Sequence, residues 1–242
     1  MIAEGADYLD VGGESSRPGS SYVSVEEELE RTIPLVRAIR RVSTTIPISI
    51  DTRKAPVARA AIDAGATMIN DISGLRDDPG MAALAAERAV DVCIMHMRGT
   101  PATMQDNPSY LDPVGEVIAE LSAMAETALS AGINRDRIVL DPGIGFGKRF
   151  SDNWTILKHL DRFGDLGYPL LVGLSRKSFL GALPWRSVDA PGDGAKPPEE
   201  RLHATLAAEL WCTMQGVSII RVHDVRPLAE MLDVLEAIAA AE

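Results

Sequence analysis

The stretch RIVLDPGIGFGK (137–148) decides how this chain is to be read. Ile138, Val139 and Leu140 run without interruption into Asp141, and a glycine-rich turn follows at once. A short apolar run without polar alternation marks a parallel strand buried on both faces. The acid that ends it stands at the strand's C-terminal end. Working outward, the same figure recurs in YLDVG (8–12), PISID (47–51), TMIND (67–71), DVCIMHM (91–97), PLLVGLS (169–175) and SIIRVH (218–223). Helical stripes lie between these runs. Ser24 and Glu27 form a capping box ahead of Val25, Leu29, Ile33, Val36 and Ile39, and Pro34 is expected to kink that helix. Residues 113–131 turn Val117, Ile118, Leu121, Met124 and Leu129 inward and stop at Gly132. Leu202, Leu206 and Leu210 do the same over 199–215, and Leu228, Leu232 and Leu235 over 226–240.

This unbroken alternation predicts an α/β chain, a (β/α)₈ TIM barrel with about seven of its eight strands identifiable. Residues 1–242 read as one barrel domain. The opening IAEGA (2–6) looks like the end of a helix with Gly5 at its C-terminus, so the domain is expected to be N-terminally incomplete, without its first strand. The stretch 182–200, rich in Pro, Gly and Asp, reads as a long mobile loop after a strand end.

Charge and composition narrow the function classes. The formal net charge of −11 argues against nucleic-acid binding, which needs a cationic face. No apolar run approaches the roughly 20 residues of a membrane span, and no signal peptide is visible. Cys93 and Cys212 are too few and too scattered for a disulfide or metal framework and read as buried thiols. A cytoplasmic, reducing compartment is expected.

The strand ends carry the chemistry. Asp51, Asn70, His96, Asp141, Lys177, Arg221 and His223 all fall at or just past a predicted C-terminus, where a barrel gathers them at one mouth. Each alone has a plainer role. Asp51 and Asp141 suit helix N-caps, Asn70 a turn, and His96 a satisfied, partly buried ring. As a set they offer acceptors and amide donors to a flat heterocycle, with positive charge for an anionic tail. Arg17, in the small-residue loop GESSRPGS (13–20), adds an anion fork. DPGIGFGK (141–148) is neither a Walker A loop nor a dinucleotide fingerprint. Its alternating glycines suit a turn that lets a ligand lie on the backbone, with Phe146 available for ring contact. Ser178 would open a helix, where an anion such as a carboxylate is favoured.

GGESSRPG, IDTRK, NDISG, MHMRGTPATMQ, DPGIGFGK, GLSRKSFLG and RVHDV stand here in the order and spacing of the dihydropteroate synthases, and the chain resembles that family over its whole length. The resemblance implies a (β/α)₈ barrel, a homodimer and a transferase. It would join 6-hydroxymethyl-7,8-dihydropterin pyrophosphate to p-aminobenzoate in folate biosynthesis with Mg²⁺, and would be a sulfonamide target. It implies a pterin pocket of Asp51, Asn70, Met95, Asp141, Phe146, Lys177 and Arg221. It also implies an anion site of Arg17, Asn70, Arg221 and His223, and a p-aminobenzoate side of Ser16, Pro18, Phe146, Lys177 and Ser178. Position 16 is Ser where the family more often has Thr; the hydroxyl survives. The family's N-V-T-P-D-S-F-S type segment, whose Asn helps bind Mg²⁺, has no match, so no metal ligand is expected in this chain. Two other readings use the same barrel. One is a methyltetrahydrofolate-dependent methyltransferase, against which Arg17, Lys177, Arg221 and His223 argue. The other is a truncated barrel that binds pterin without turnover.

Overall fold

The computed structural model describes residues 1–17, 19–182 and 196–241. Its strands are β1 (Leu9–Gly12), β2 (Ile48–Asp51), β3 (Met68–Asp71), β4 (Asp91–Met95), β5 (Ile138–Asp141), β6 (Leu171–Gly173) and β7 (Ile219–Arg221). The helices are α1 (Val25–Val42), α2 (Ala55–Asp63), α3 (Met81–Arg88), α4 (Pro113–Ser130), α5 (Phe150–Lys158), α6 (Asp161–Gly164), α7 (Ser178–Gly181), α8 (Leu202–Met214) and α9 (Val225–Ala239). The strands pair in parallel and in sequence order from β1 to β5, and β6 pairs with β7. A bridge between Leu140 and Leu170 joins the two sets. The fold is a (β/α)₈ barrel, with seven strands among the described residues, the number read from the sequence. A side-chain bond from Arg221 to Asp10 links β7 to β1.

Local sequence explains the elements. The Ser24 side chain accepts the Glu27 N–H at 3.2 Å and starts α1, and the Asp112 carboxylate caps α4. Gly132, at φ +93°, follows α4, as the stop signal predicted. Ile2–Glu4 form a single 3₁₀ turn closed by Gly5 at φ +96°.

Alternation along the strands builds two cores. Val11, Ile48, Ile50, Ile69, Val92, Ile94, Ile138, Leu140 and Val172 face the helices. Met68, Cys93, Val139 and Leu171, with Ile219 against them, form a separate cluster that the alternation places inside the barrel. Two positions further along these same strands come Asn70, Met95, Asp141, Gly173 and Arg221, with Asp51 of β2 opposite Asn70 and Asp10 of β1, opposite Ser49, reaching the layer through Arg221 and Asn70. This layer is the floor of the mouth.

Three expectations change. In α8 the buried stripe is Thr205, Glu209 and Cys212, whereas Leu202, Leu206 and Leu210 are only half-buried. The polar stripe faces in because Thr205 Oγ accepts the Arg176 N–H at 3.1 Å where the chain leaves β6. His96 belongs to the helix-facing set and turns from the mouth, its Nε2 lying 2.9 Å from Glu120 of α4. The strands are shorter than the apolar runs, because each chain leaves the ladder at the polar residues that follow. Residues 183–195, most of the expected loop, lie outside the described residues, as does Pro18.

Candidate active site

Alternation brings together residues distant in sequence. Asp51 and Arg221 meet at 2.9 Å, and Asp10 meets Arg221 at 2.5 Å. Asn70 donates its amide to the same Asp10 oxygen at 3.3 Å. The other Asp10 oxygen, Oδ1, is buried without a hydrogen-bond partner. Sequence reasoning missed Asp10. The signal was there, since Val11 is core-facing and Asp10 therefore shares the inward face with Gly12.

Crowding sets the charges of this layer. Burial, and then the Asp10 carboxylate beside it, push Asp51 up to about 7, with Arg221 pulling the other way. Burial also raises Asp141, opposed first by Lys177 and then by the hydrogen bond from Gly143 N–H, 2.7 Å away. Lys177, desolvated at the same place, is drawn down to about 8 in spite of Asp141. Its ammonium lies 4.5 Å from the Phe146 ring centroid and donates to the Ile144 carbonyl. Met95, Met97, Met104 and Ile72 pack into one cluster against Phe146, giving the floor an apolar wall.

The 143–147 loop is wound tightly, and its glycines have a reason inside the protein. Gly143 (φ +67°) and Gly147 (φ +61°) lie against the backbone of β4's exit. A Cβ on Gly143 would stand 1.9 Å from the His96 carbonyl oxygen, and one on Gly147 would stand 2.6 Å from that of Arg98. Each carbonyl of the loop has a side-chain donor. Lys148 serves Gly143 and Phe146, Lys177 serves Ile144, Gln105 serves Gly145, and Tyr110 serves Gly147.

The remaining predicted residues lie at the rim. His223 is exposed, its backbone N–H donating to Ser175 Oγ at 3.2 Å. Its ring is lowered in pKa by partial burial and then by the charges of Arg176, Arg221 and, least, Arg17. Arg176, Arg221 and Arg17 thus stand near that edge, with Asp224 paired to Arg176 at 2.8 Å and opposing the shift. Ser16 borders Asp51 and Ile72 in a shallow cleft, and Arg17 is exposed. Ser178, also exposed, is the first residue of the four-residue α7, beside Lys177. The segment carrying Ser16 and Arg17 is anchored at Glu14, which pairs with Arg53 at 2.7 Å and with Lys54; Lys54 also pairs with the buried Glu28 at 2.5 Å. A cavity of about 480 Å³ beside Tyr22, Arg53 and Asp77 shares none of the floor residues. Among the described residues, no group of three His, Cys, Asp or Glu side chains could hold a metal ion.

The family described as pterin binding enzyme matches residues 1–223. A dihydropteroate synthase of Escherichia coli K12 is 45% identical over 242 residues, covering 100% of this chain and 82% of its own length. A Xanthomonas albilineans dihydropteroate synthase structure with 4-aminobenzoic acid superposes with a TM-score of 0.90 at 43% identity, over 100% of this chain and 82% of that one. The X. albilineans enzyme in complex with 7,8-dihydropteroate gives 0.86 at 39% identity, with the same coverage.

Proposed function

The chain belongs to the dihydropteroate synthases of the pterin-binding enzyme family, and we propose that its inward layer of Asp51, Asn70, Asp141 and Asp10 holds the pterin. It is a transferase that condenses 6-hydroxymethyl-7,8-dihydropterin pyrophosphate with p-aminobenzoate, giving 7,8-dihydropteroate and pyrophosphate. The observation that carries the site assignment is the alternation. It turns three carboxylates and one amide from four strands onto a single floor, walled by Met95 and Phe146 and edged by cations.

Each group has work there. Asp51, Asn70 and Asp141 accept the N–H groups of the ring, and the Asn70 amide donates. Asp10 Oδ1, buried and unpartnered, has a free lone pair for the same purpose. When the C–O bond to pyrophosphate breaks, its electron pair leaves with the phosphate and positive charge builds on the exocyclic methylene. The Asp51 and Asp141 carboxylates offset that charge. Arg17, Arg221 and His223 receive the departing anion. The p-aminobenzoate amine then attacks the carbon and loses a proton. Ser16, Phe146, Lys177 and Ser178 hold this second substrate, with Pro18 as a further contact. Among the described residues no three His, Cys, Asp or Glu side chains gather into a site for Mg²⁺.

The finer assignments follow the same reading. Residues 1–242 act as one unit. The half-buried Leu202, Leu206 and Leu210 of α8, with exposed Trp211 and Met214, suit pairing with a second copy of the chain. Free, buried Cys93 and Cys212 suit a reducing cytoplasm. Among the described residues no helix is long and apolar enough to cross a membrane.

Calorimetric titration with 6-hydroxymethyl-7,8-dihydropterin tests the pocket. Asp141→Asn keeps the fold and weakens binding by about 10- to 100-fold, the worth of a hydrogen bond to a charged group at about 1.5–3 kcal/mol. Unchanged affinity removes Asp141 from the site.

A further inference from the structure

Lys148 is buried, only 2% exposed, yet no step of the reaction uses it. Its ammonium sits against the 143–147 loop. It lies 2.9 Å from the Gly143 carbonyl, 3.1 Å from the Phe146 carbonyl and 3.0 Å from His96 Nδ1. Three acceptors need three N–H donors, and only the charged amine has them. His96 Nε2 faces the Glu120 carboxylate at 2.9 Å, so that nitrogen carries the ring's proton and Nδ1 is left to accept. Arg98 holds Glu120 from the far side and also pairs with Glu116 at 2.8 Å. Every donor therefore points one way, from Lys148 through His96 to Glu120 on α4.

Charges agree with that direction. Burial and the adjacent Lys148 push His96 down to about 3, which keeps the ring neutral. Burial draws Lys148 down to about 7. Asp141 and Glu120 favour its charge while Lys177 and Arg98 oppose it. The three acceptors around the amine fit the charged form.

We propose that Lys148 is a positioning residue for the dihydropterin. Its ammonium, aimed by His96 and Glu120, fixes Gly143 and Phe146 and so sets the orientation of Asp141 and the Phe146 ring. The path is short. Lys148 binds the Gly143 carbonyl, and the Gly143 N–H binds Asp141 Oδ1, leaving the second carboxylate oxygen for the mouth. This inference rests on the reading that the pterin lies on Asp141.

Titration of the full chain with 6-hydroxymethyl-7,8-dihydropterin, and separately with inorganic pyrophosphate, tests it. Lys148→Met weakens the dihydropterin at least ten-fold and leaves pyrophosphate within two-fold, because the hydrogen bonds of Arg221 and His223 run to Asp10, Asp51 and Ser175 rather than to the 143–147 loop. Glu120→Ala, on the partly exposed outer helix, releases His96. It weakens the dihydropterin about three-fold and speeds amide hydrogen exchange across residues 143–147, and it decides the matter if Lys148→Met does not fold. Unchanged dihydropterin affinity in Glu120→Ala overturns the proposal, as do equal losses for both ligands in Lys148→Met. Failure of the unaltered chain to bind the dihydropterin at all would instead overturn the pterin reading.

Discussion

On the side of the mouth formed by β3, β4 and β5, Asn70, Met95 and Asp141 are at most 6% exposed, and the adjoining loop has a donor for each of its carbonyls. On the side formed by the 13–20 segment and the start of α7, Ser16 is half-buried, Arg17 and Ser178 stand in solvent, and Glu14 supplies the ionic anchor. The first side is set before any ligand arrives, which suits a flat ring recognised through fixed donors and acceptors. The second can be drawn into place by the anion and the second substrate, at the cost of ordering it then. A reaction that joins two substrates gains from having both.

Arg221 stands between the two sides, so its removal should break the comparison most sharply. Its guanidinium bonds Asp10 and Asp51, while 45% of the side chain stays exposed toward the rim. Arg221→Ala should weaken the pyrophosphate-bearing pterin by about 10- to 100-fold, from the loss of charged hydrogen bonds worth about 1.5–3 kcal/mol. The bare hydroxymethyl pterin should lose less than the pyrophosphate-bearing one, since Arg221 reaches it only through Asp10 and Asp51. Isothermal titration of the two ligands separates the cases. Equal losses would mean that Arg221 belongs to the ring side and that the division is drawn in the wrong place.

A smaller effect sharpens the comparison through pH. Asp51 titrates near 7 in the folded chain, above its ordinary value of 3.8. The folded state therefore holds a proton that the unfolded state releases between those values. Stability from this group is fully present below about pH 4 and is lost as pH rises through 7. Asp51→Asn, which has no charge to bury, should raise the melting temperature more at pH 8 than at pH 5. Ser16 and Arg17 lie on the open side, so Arg17→Gln should show no such trend. Calorimetric melts at the two pH values check this, and a gain for Asp51→Asn that is the same at both would remove burial as the cause of the shift.

Much of this was legible in the sequence because parallel strands write themselves as apolar runs. The seven strands came from that pattern, and Asp51, Asn70 and Asp141 stand at the C-terminal ends of β2, β3 and β5. Two misreadings share a cause. Treating every polar residue at a strand end as facing the mouth ignores the two-residue period, which turns His96 outward and Asp10 inward. The α8 stripe failed differently. Leucine spacing marks an apolar face but does not say whether it meets the barrel or the outside, and Thr205 took the inner face because the β6–α7 turn needed its hydroxyl. The Lys148 network could not be read at all. Lys148, His96 and Glu120 stand at least 24 residues apart in sequence, and only the winding of the 143–147 loop brings Lys148 to the other two.

The smallest expected effect comes from adding one methyl group to each side. Ser16→Thr keeps the hydroxyl and places the methyl at a half-buried position, so stability should change by less than about 0.5 kcal/mol, as for substitutions outside the core. Ser73→Thr makes the same chemical change where the side chain is 1% exposed and its hydroxyl accepts the Arg76 and Asp77 N–H groups at 3.2 Å. There the methyl must displace packed atoms, at a cost of about 1–3 kcal/mol. For a chain of this size, about 1 kcal/mol moves the melting temperature by roughly 2–4 °C. Ser73→Thr should therefore melt several degrees lower than Ser16→Thr. The Ser16→Thr variant should also keep its p-aminobenzoate affinity, measured in the presence of pyrophosphate, within about two-fold, since a methyl beside a retained hydroxyl falls within that same small range. If the two variants melt together, the 13–20 segment is as tightly packed as the β3 exit, and the second substrate meets a side as rigid as the first.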